Sequence, residues 1–156
     1  MDLQDIKKAL NSTSHLQQLQ GIDAYTLPLL LRIDRRPKTV KQIINQEKVA
    51  LFHSLTGKLV QDVIAKRVEY GIAMKNLLTY GDPVKEIEKT NTATLKETRM
   101  LPKDFKFDAI VAVFDDYVAV TKLDIENCSG YVLKDSVIAK SFEAMFDVLW
   151  AQGTVV

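Results

Sequence analysis

Few residues here can do metal or redox chemistry. The 156 residues include one cysteine, Cys128, and two distant histidines, His15 and His53. A lone cysteine excludes an intrachain disulfide and suits a reducing compartment. No Cys-x-x-Cys or His-x-x-Glu spacing occurs, so no zinc site is expected. Glycine is scarce as well: six scattered residues build neither a dinucleotide loop nor a P-loop, and no cofactor is expected. No apolar run approaches the ~18 residues of a membrane span, and the start MDLQDIKKAL has no signal-peptide core. A cytoplasmic chain without membrane contact is the expectation. An excess of one charge is missing too. Lysine and arginine number 21 against 20 acidic residues, a net charge of +1, so no global field draws the chain to nucleic acid.

What is present fits one soluble domain, with 47% hydrophobic and 26% charged residues. Leu3, Ile6, Leu10 and Thr13 follow helical spacing, with Leu16 and Leu19 beyond them. Residues 1–20 therefore read as an amphipathic helix, docked on its own domain or pairing with a second chain. The helix weakens at residues 11–14 and stops at Gly21, leaving 21–156 as the main domain.

The pattern then predicts a strand over 25–33, held to an edge or a start by Pro28, and a helix over 40–46 capped by Thr39. A short buried strand over 49–52 precedes a helix to Tyr70, with Gly71 as its left-handed stop. Residues 72–80 read as a strand, Gly81-Asp82-Pro83 as a turn, and 84–100 as exposed helix broken near 90–92. A hairpin follows, apolar on both faces, turning at Asp115-Asp116. A third strand at 131–133 leads to a helix capped by Ser136 and ended by Gly153, with Ile138, Phe142, Met145, Phe146 and Leu149 inward. The expected class is α/β (α+β), a mixed sheet flanked by helices.

His53 draws attention because it ends a predicted strand just before a helix, with Ser54 and Thr56 beside it. Crevices outside strand ends take ligands, and a helix N-terminus favours anions. The plainer use is local backbone satisfaction and capping. Arg67 and Arg99 read as ligand clamps or as structural ion pairs. The cluster Arg32, Arg35, Arg36, Lys38 and Lys41 reads as a solvated face or partner contact, since no aromatic is interleaved with it. Phe142, Phe146 and Trp150 read as packing, with Trp150 one position off the stripe, at a boundary.

The runs KRVEYGIAMKNLL (66–78), LKETRMLP (95–102), FDAIVAVFDDYVAV (107–120) and SVIAKSFEAMFDVLW (136–150) resemble, in this order, the C-terminal effector domain of TrmB-like transcriptional regulators. The resemblance covers about residues 49–152 and implies a phospholipase-D-like domain that senses a ligand, often a sugar. The wider superfamily carries His-x-Lys-x-x-x-x-Asp on such a hairpin. Placed here, its Asp falls on Asp115, its Lys on Ile110 and its His on Asp108. The nucleophile and the phosphate-binding cation are both replaced. The family's winged helix has no counterpart before residue 21, and residues 2–20 match its linker helix.

The resemblance therefore implies a non-catalytic ligand-sensing and dimerisation domain that makes no direct nucleic-acid contact. Its ligand would be a sugar or phosphorylated metabolite, bound near His53, Ser54, Thr56, Arg67 and Arg99. The alternatives are a residual phosphodiesterase using His53 and a purely structural assembly module.

Overall fold

A computed structural model describes residues 1–11, 15–79 and 93–155. In chain order the described elements are α1 (Leu3–Asn11), β1 (Leu16–Gln20), α2 (Asp23–Arg35), β2 (Thr39–Asn45), α3 (Gln46–Glu69), β3 (Ala73–Thr79) and β4 (Lys96–Met100). The hairpin β5 (Ala109–Phe114) and β6 (Tyr117–Lys122) follows, then β7 (Ser129–Lys134), α4 (Ser136–Gln152) and β8 (Thr154–Val155). The strands form one mixed sheet in the order β1-β7-β6-β5-β2-β3-β4-β8. β2, β3 and β4 are parallel neighbours; the other pairings are antiparallel. This is the expected fold class.

Helices cover both faces, which is why central strands carry apolar residues at successive positions. On one face Ile6, Leu10, Leu31, Phe52 and Val60 pack on Val40, Leu78, Phe114 and Val132. On the other, α4 sets Phe146 and Trp150 against Ile43 and Leu77, and Ala139 against Val113 and Val118. Lys41 ties α4 to β2 through Glu143 at 2.7 Å and Asp147 at 2.8 Å.

The N-terminal helix is shorter than expected. It ends at Asn11, and residues 16–20 are a sheet strand paired with β7. Ile6 and Leu10 are fully buried in the chain's own core.

Residues 25–33 form helix, not strand; the run 27–31 is apolar at every position and so does not reveal its period. Pro28 lies inside α2 and cannot donate to the carbonyl of Ala24. That carbonyl instead accepts from Thr121 Oγ1 at 2.8 Å, so the sheet supplies the missing donor.

Residues 40–46 correct in the opposite sense. Thr39 opens β2 and caps no helix, and Val40, Gln42 and Ile44 alternate onto one face. Asn45 caps α3 instead, its side chain accepting from Lys48 N at 3.1 Å. The expected strand at 49–52 is the first part of α3, which kinks at Thr56 (φ −126°, ψ 18°) and runs on to Glu69. Gly71 stands past its end with φ +66°, the conformation its position predicts.

Residues 96–100, expected as exposed helix, are strand β4. The expected turn at 81–83 and break at 90–92 lie outside the described residues. The hairpin forms as predicted, Asp115 taking φ +51° in its turn. β7 is longer than the predicted strand at 131–133. Asp135, one residue earlier than expected, caps α4 by accepting from Val137 N and Ile138 N. The buried stripe of α4 is Ala139, Phe146 and Trp150. Ile138 and Met145 are exposed, and Trp150 is core, not boundary.

Candidate functional site

Strand register prepares a polar floor under α2 and α3. Gln42 pairs with Asn76 and Asn76 with Thr98 across the parallel strands. The same row continues through Ala112, Ala119 and Val132 on the antiparallel side. It thus turns from apolar to polar where the sheet turns parallel. Gln42, Asn76 and Thr98 are all buried. Two residues before Thr98, Lys96 points to the same face beside Met74.

Above this floor lies a cavity of about 310 Å³. α2 lends it Tyr25, Leu29 and Arg32, at helical spacing, and α3 lends Val49, His53, Val63 and Arg67. Lys96, Gln42, Asn76 and Ile110 line it from the sheet. His53 and Gln61 are exposed lining residues and mark the side open to solvent.

The polar groups form a chain. Arg32 Nη1 donates to Gln42 Oε1 at 2.9 Å, and Gln42 Nε2 donates to Asn76 Oδ1 at 2.9 Å. Arg67 donates to the carbonyls of Ile72 and Thr94, holding the ends of β3 and β4 together. Arg32 is only 6% exposed, and its Nε is buried without a hydrogen-bond partner. Among the described residues no carboxylate lines the cavity or pairs with Arg32, Arg67 or Lys96.

Positive groups crowded together in a poorly hydrated space disfavour one another's charge. Burial and then Arg67 lower Arg32 to about 10. Burial and Arg67 also lower Lys96, and burial lowers Arg67 itself. Burial, with Lys96, holds His53 below the usual imidazole value, although the residue as a whole is exposed: its ring faces the cavity. Burial raises Tyr25 to about 12 against the opposing pull of Arg32.

Of the residues singled out by sequence, His53 and Arg67 meet at this cavity. His53, however, lies within α3 over the sheet face, not at a strand end before a helix N-terminus. Ser54 and Thr56 are absent from the lining and donate their hydroxyls to the carbonyls of Leu51 and Phe52. Arg99 lies on the opposite face, donating to the Trp150 carbonyl at 2.8 Å with its guanidinium 4.5 Å from the indole.

The basic cluster disperses. Arg32 is buried, Lys41 is ion-paired, Arg35 lies over Tyr117, and Arg36 lies 3.8 Å from the centre of the Tyr70 ring. Sequence reading missed Gln42, Asn76, Lys96 and the role of Arg32. The available signal was a polar residue at an inward position of an apolar strand, the informative exception to burial.

Asp108 is exposed, 3.2 Å from Asn45 Nδ2 and 3.5 Å from Lys48 Nζ. Ile110 is part of the cavity wall and Asp115 is the hairpin turn. Among the described residues no three His, Cys, Asp or Glu side chains gather to hold a metal ion. A second, apolar cavity of about 180 Å³ lies under α4 beside Ile43, Val111 and Phe146.

No family model matches the sequence, and no curated protein does. Solved structures do resemble it. The archaeal chromatin protein TrmBL2, described with a novel mode of DNA binding, superposes with a TM-score of 0.63 at 15% identity. The match covers 98% of this chain and 60% of TrmBL2, so the chain spans less than two thirds of that protein. Nuc, a phospholipase D family member from Salmonella typhimurium, gives 0.63 at 12% identity over 90% of this chain and 97% of its own. NucT from Helicobacter pylori gives 0.59 at 10% identity over 90% and 98%. At such identities the likeness shows the fold, and the fold is phospholipase-D-like.

Proposed function

We propose that this phospholipase-D-like domain binds a small molecule in the cavity between α2, α3 and the sheet, and does not hydrolyse phosphodiesters. The observation that carries the reading is a cavity of about 310 Å³ lined in part by Arg32, a buried arginine whose Nε has no hydrogen-bond partner. Ligand sites begin at about this size, and they place a few converging polar groups in an otherwise apolar wall. The hairpin sequence supports the second half of this reading. Hydrolysis by way of a phospho-enzyme needs a nucleophile and a cation beside it; Asp108 and Ile110 occupy those positions of the pattern.

The experiment is a thermal-shift screen across sugars, sugar phosphates, carboxylates and nucleosides, repeated on Ile64→Phe. Ile64 lines the cavity and is half-buried, so a larger side chain can enter the space. Compounds that stabilise the native chain should lose their effect in the variant. No stabiliser at all, or stabilisers indifferent to the filled cavity, would remove the binding reading. Hydrolysis of a chromogenic phosphodiester that His53→Ala abolishes would restore an enzyme.

A further inference from the structure

If the cavity is a binding site, as proposed above, its charge balance specifies the occupant. Arg32, Arg67 and Lys96 all line it, and among the described residues no carboxylate does. Buried cations ordinarily sit beside an acid, because an uncompensated charge in a poorly hydrated interior is costly. Among the described residues the Arg32 guanidinium donates only to the neutral amide of Gln42, which Asn76 holds in turn. That chain fixes the guanidinium and leaves Nε buried and unused. Arg67 has a structural task at the strand ends, whereas Lys96 has none among the described contacts.

We infer that the cavity takes a small organic oxyanion, its charged head held by Arg32 and Lys96 and its apolar body resting on Leu29, Val49, Val63 and Ile110. A guanidinium fork fits the planar or tetrahedral oxygens of a carboxylate or phosphate group. Inorganic phosphate alone would leave most of the volume and the whole apolar wall without contact. Burial first, and then Arg67 for Arg32 and Lys96 and Lys96 for His53, lowers the basicity of these groups, and a bound anion would offset both costs.

The test uses phenyl phosphate and phenylacetate as probes, 2-phenylethanol as the uncharged counterpart, and inorganic phosphate. Each is titrated calorimetrically into the full chain at constant ionic strength. The two organic anions should bind and raise the melting temperature, more strongly than inorganic phosphate, and the alcohol should do neither. Lys96→Met should weaken the anions by roughly tenfold or more, the size of one lost charge-assisted contact. Arg32→Met should abolish their binding. Should the latter fail to fold, Lys96→Met decides alone, because its side chain belongs to no described hydrogen-bond chain.

Equal binding of alcohol and anions, or wild-type anion affinity in folded Lys96→Met, overturns the inference. Neutral ligands that Ile64→Phe excludes would leave the binding function standing without it. Silence from every compound, charged or neutral, removes both.

Discussion

His53 illustrates how a single residue reports on its neighbours. Burial and the charge of Lys96 both push its imidazole below the ordinary value of 6.5. The folded chain therefore binds this proton less readily than the unfolded one. Its contribution to stability is complete above about 6.5 and is lost as pH falls through the depressed folded value. Replacing Lys96 by Met removes one of the two causes. The NMR titration midpoint of His53 should then rise, and the loss of stability below about pH 6.5 should become shallower. A midpoint unmoved by the substitution would mean that Lys96 is not felt at the ring.

Among the elements, α2 depends most on its surroundings. Pro28 frees the Ala24 carbonyl, and buried Thr121 on β6 answers it. Thr121→Val should destabilise the chain by about 1–3 kcal/mol, the cost of a buried acceptor left without a donor. Pro28→Ala returns an N–H to the helix. In that background the valine should cost measurably less, and the double-mutant cycle should show coupling. Strict additivity in denaturant unfolding of the four proteins would mean that the carbonyl does not depend on the threonine.

Legibility in the sequence follows the same logic. The β5–β6 hairpin was readable because Asp115-Asp116 is a local turn between two apolar runs. The end of α3 was readable because Gly71 supplies a left-handed stop. α2, β2 and the first half of α3 were not. The centre of α2 is apolar at successive positions, and β2 and the start of α3 mix apolar and polar residues without a clean repeat, so period, the main local signal separating helix from strand, was not readable. β4 was hidden for a different reason: Lys96, Glu97, Thr98 and Arg99 look solvent-exposed, yet Thr98 is buried beside Asn76 of β3.

At the scale of the molecule, the N-terminal helix packs on its own domain, the first of the two uses expected of it. Ile6 and Leu10 are 0% and 1% exposed, so their apolar surface is already spent within this chain. Deleting residues 1–11 should lower stability by about 1.5–3 kcal/mol for each of these two side chains. Native mass spectrometry of the shortened chain should give the same oligomeric state as the full one. Loss of an oligomer with stability unchanged would restore the pairing role.

The sheet shows a division of the same kind. Its antiparallel side carries an apolar row and its parallel side a polar one, and the cavity opens over the polar part.

The sequence by itself determined the mixed α/β class, the hairpin, the lack of His-x-Lys-x-x-x-x-Asp and two of the cavity's residues, His53 and Arg67. Each of these is a local property, written in composition, turn chemistry or short spacing. Only the tertiary structure decided that Arg32 lies over Gln42, that Gln42 stands beside Asn76, and that Lys96 joins them with no acid among the described residues. Those contacts join α2, β2, β3 and β4. Strand order and register bring them together, and neither is encoded in any one segment of the chain.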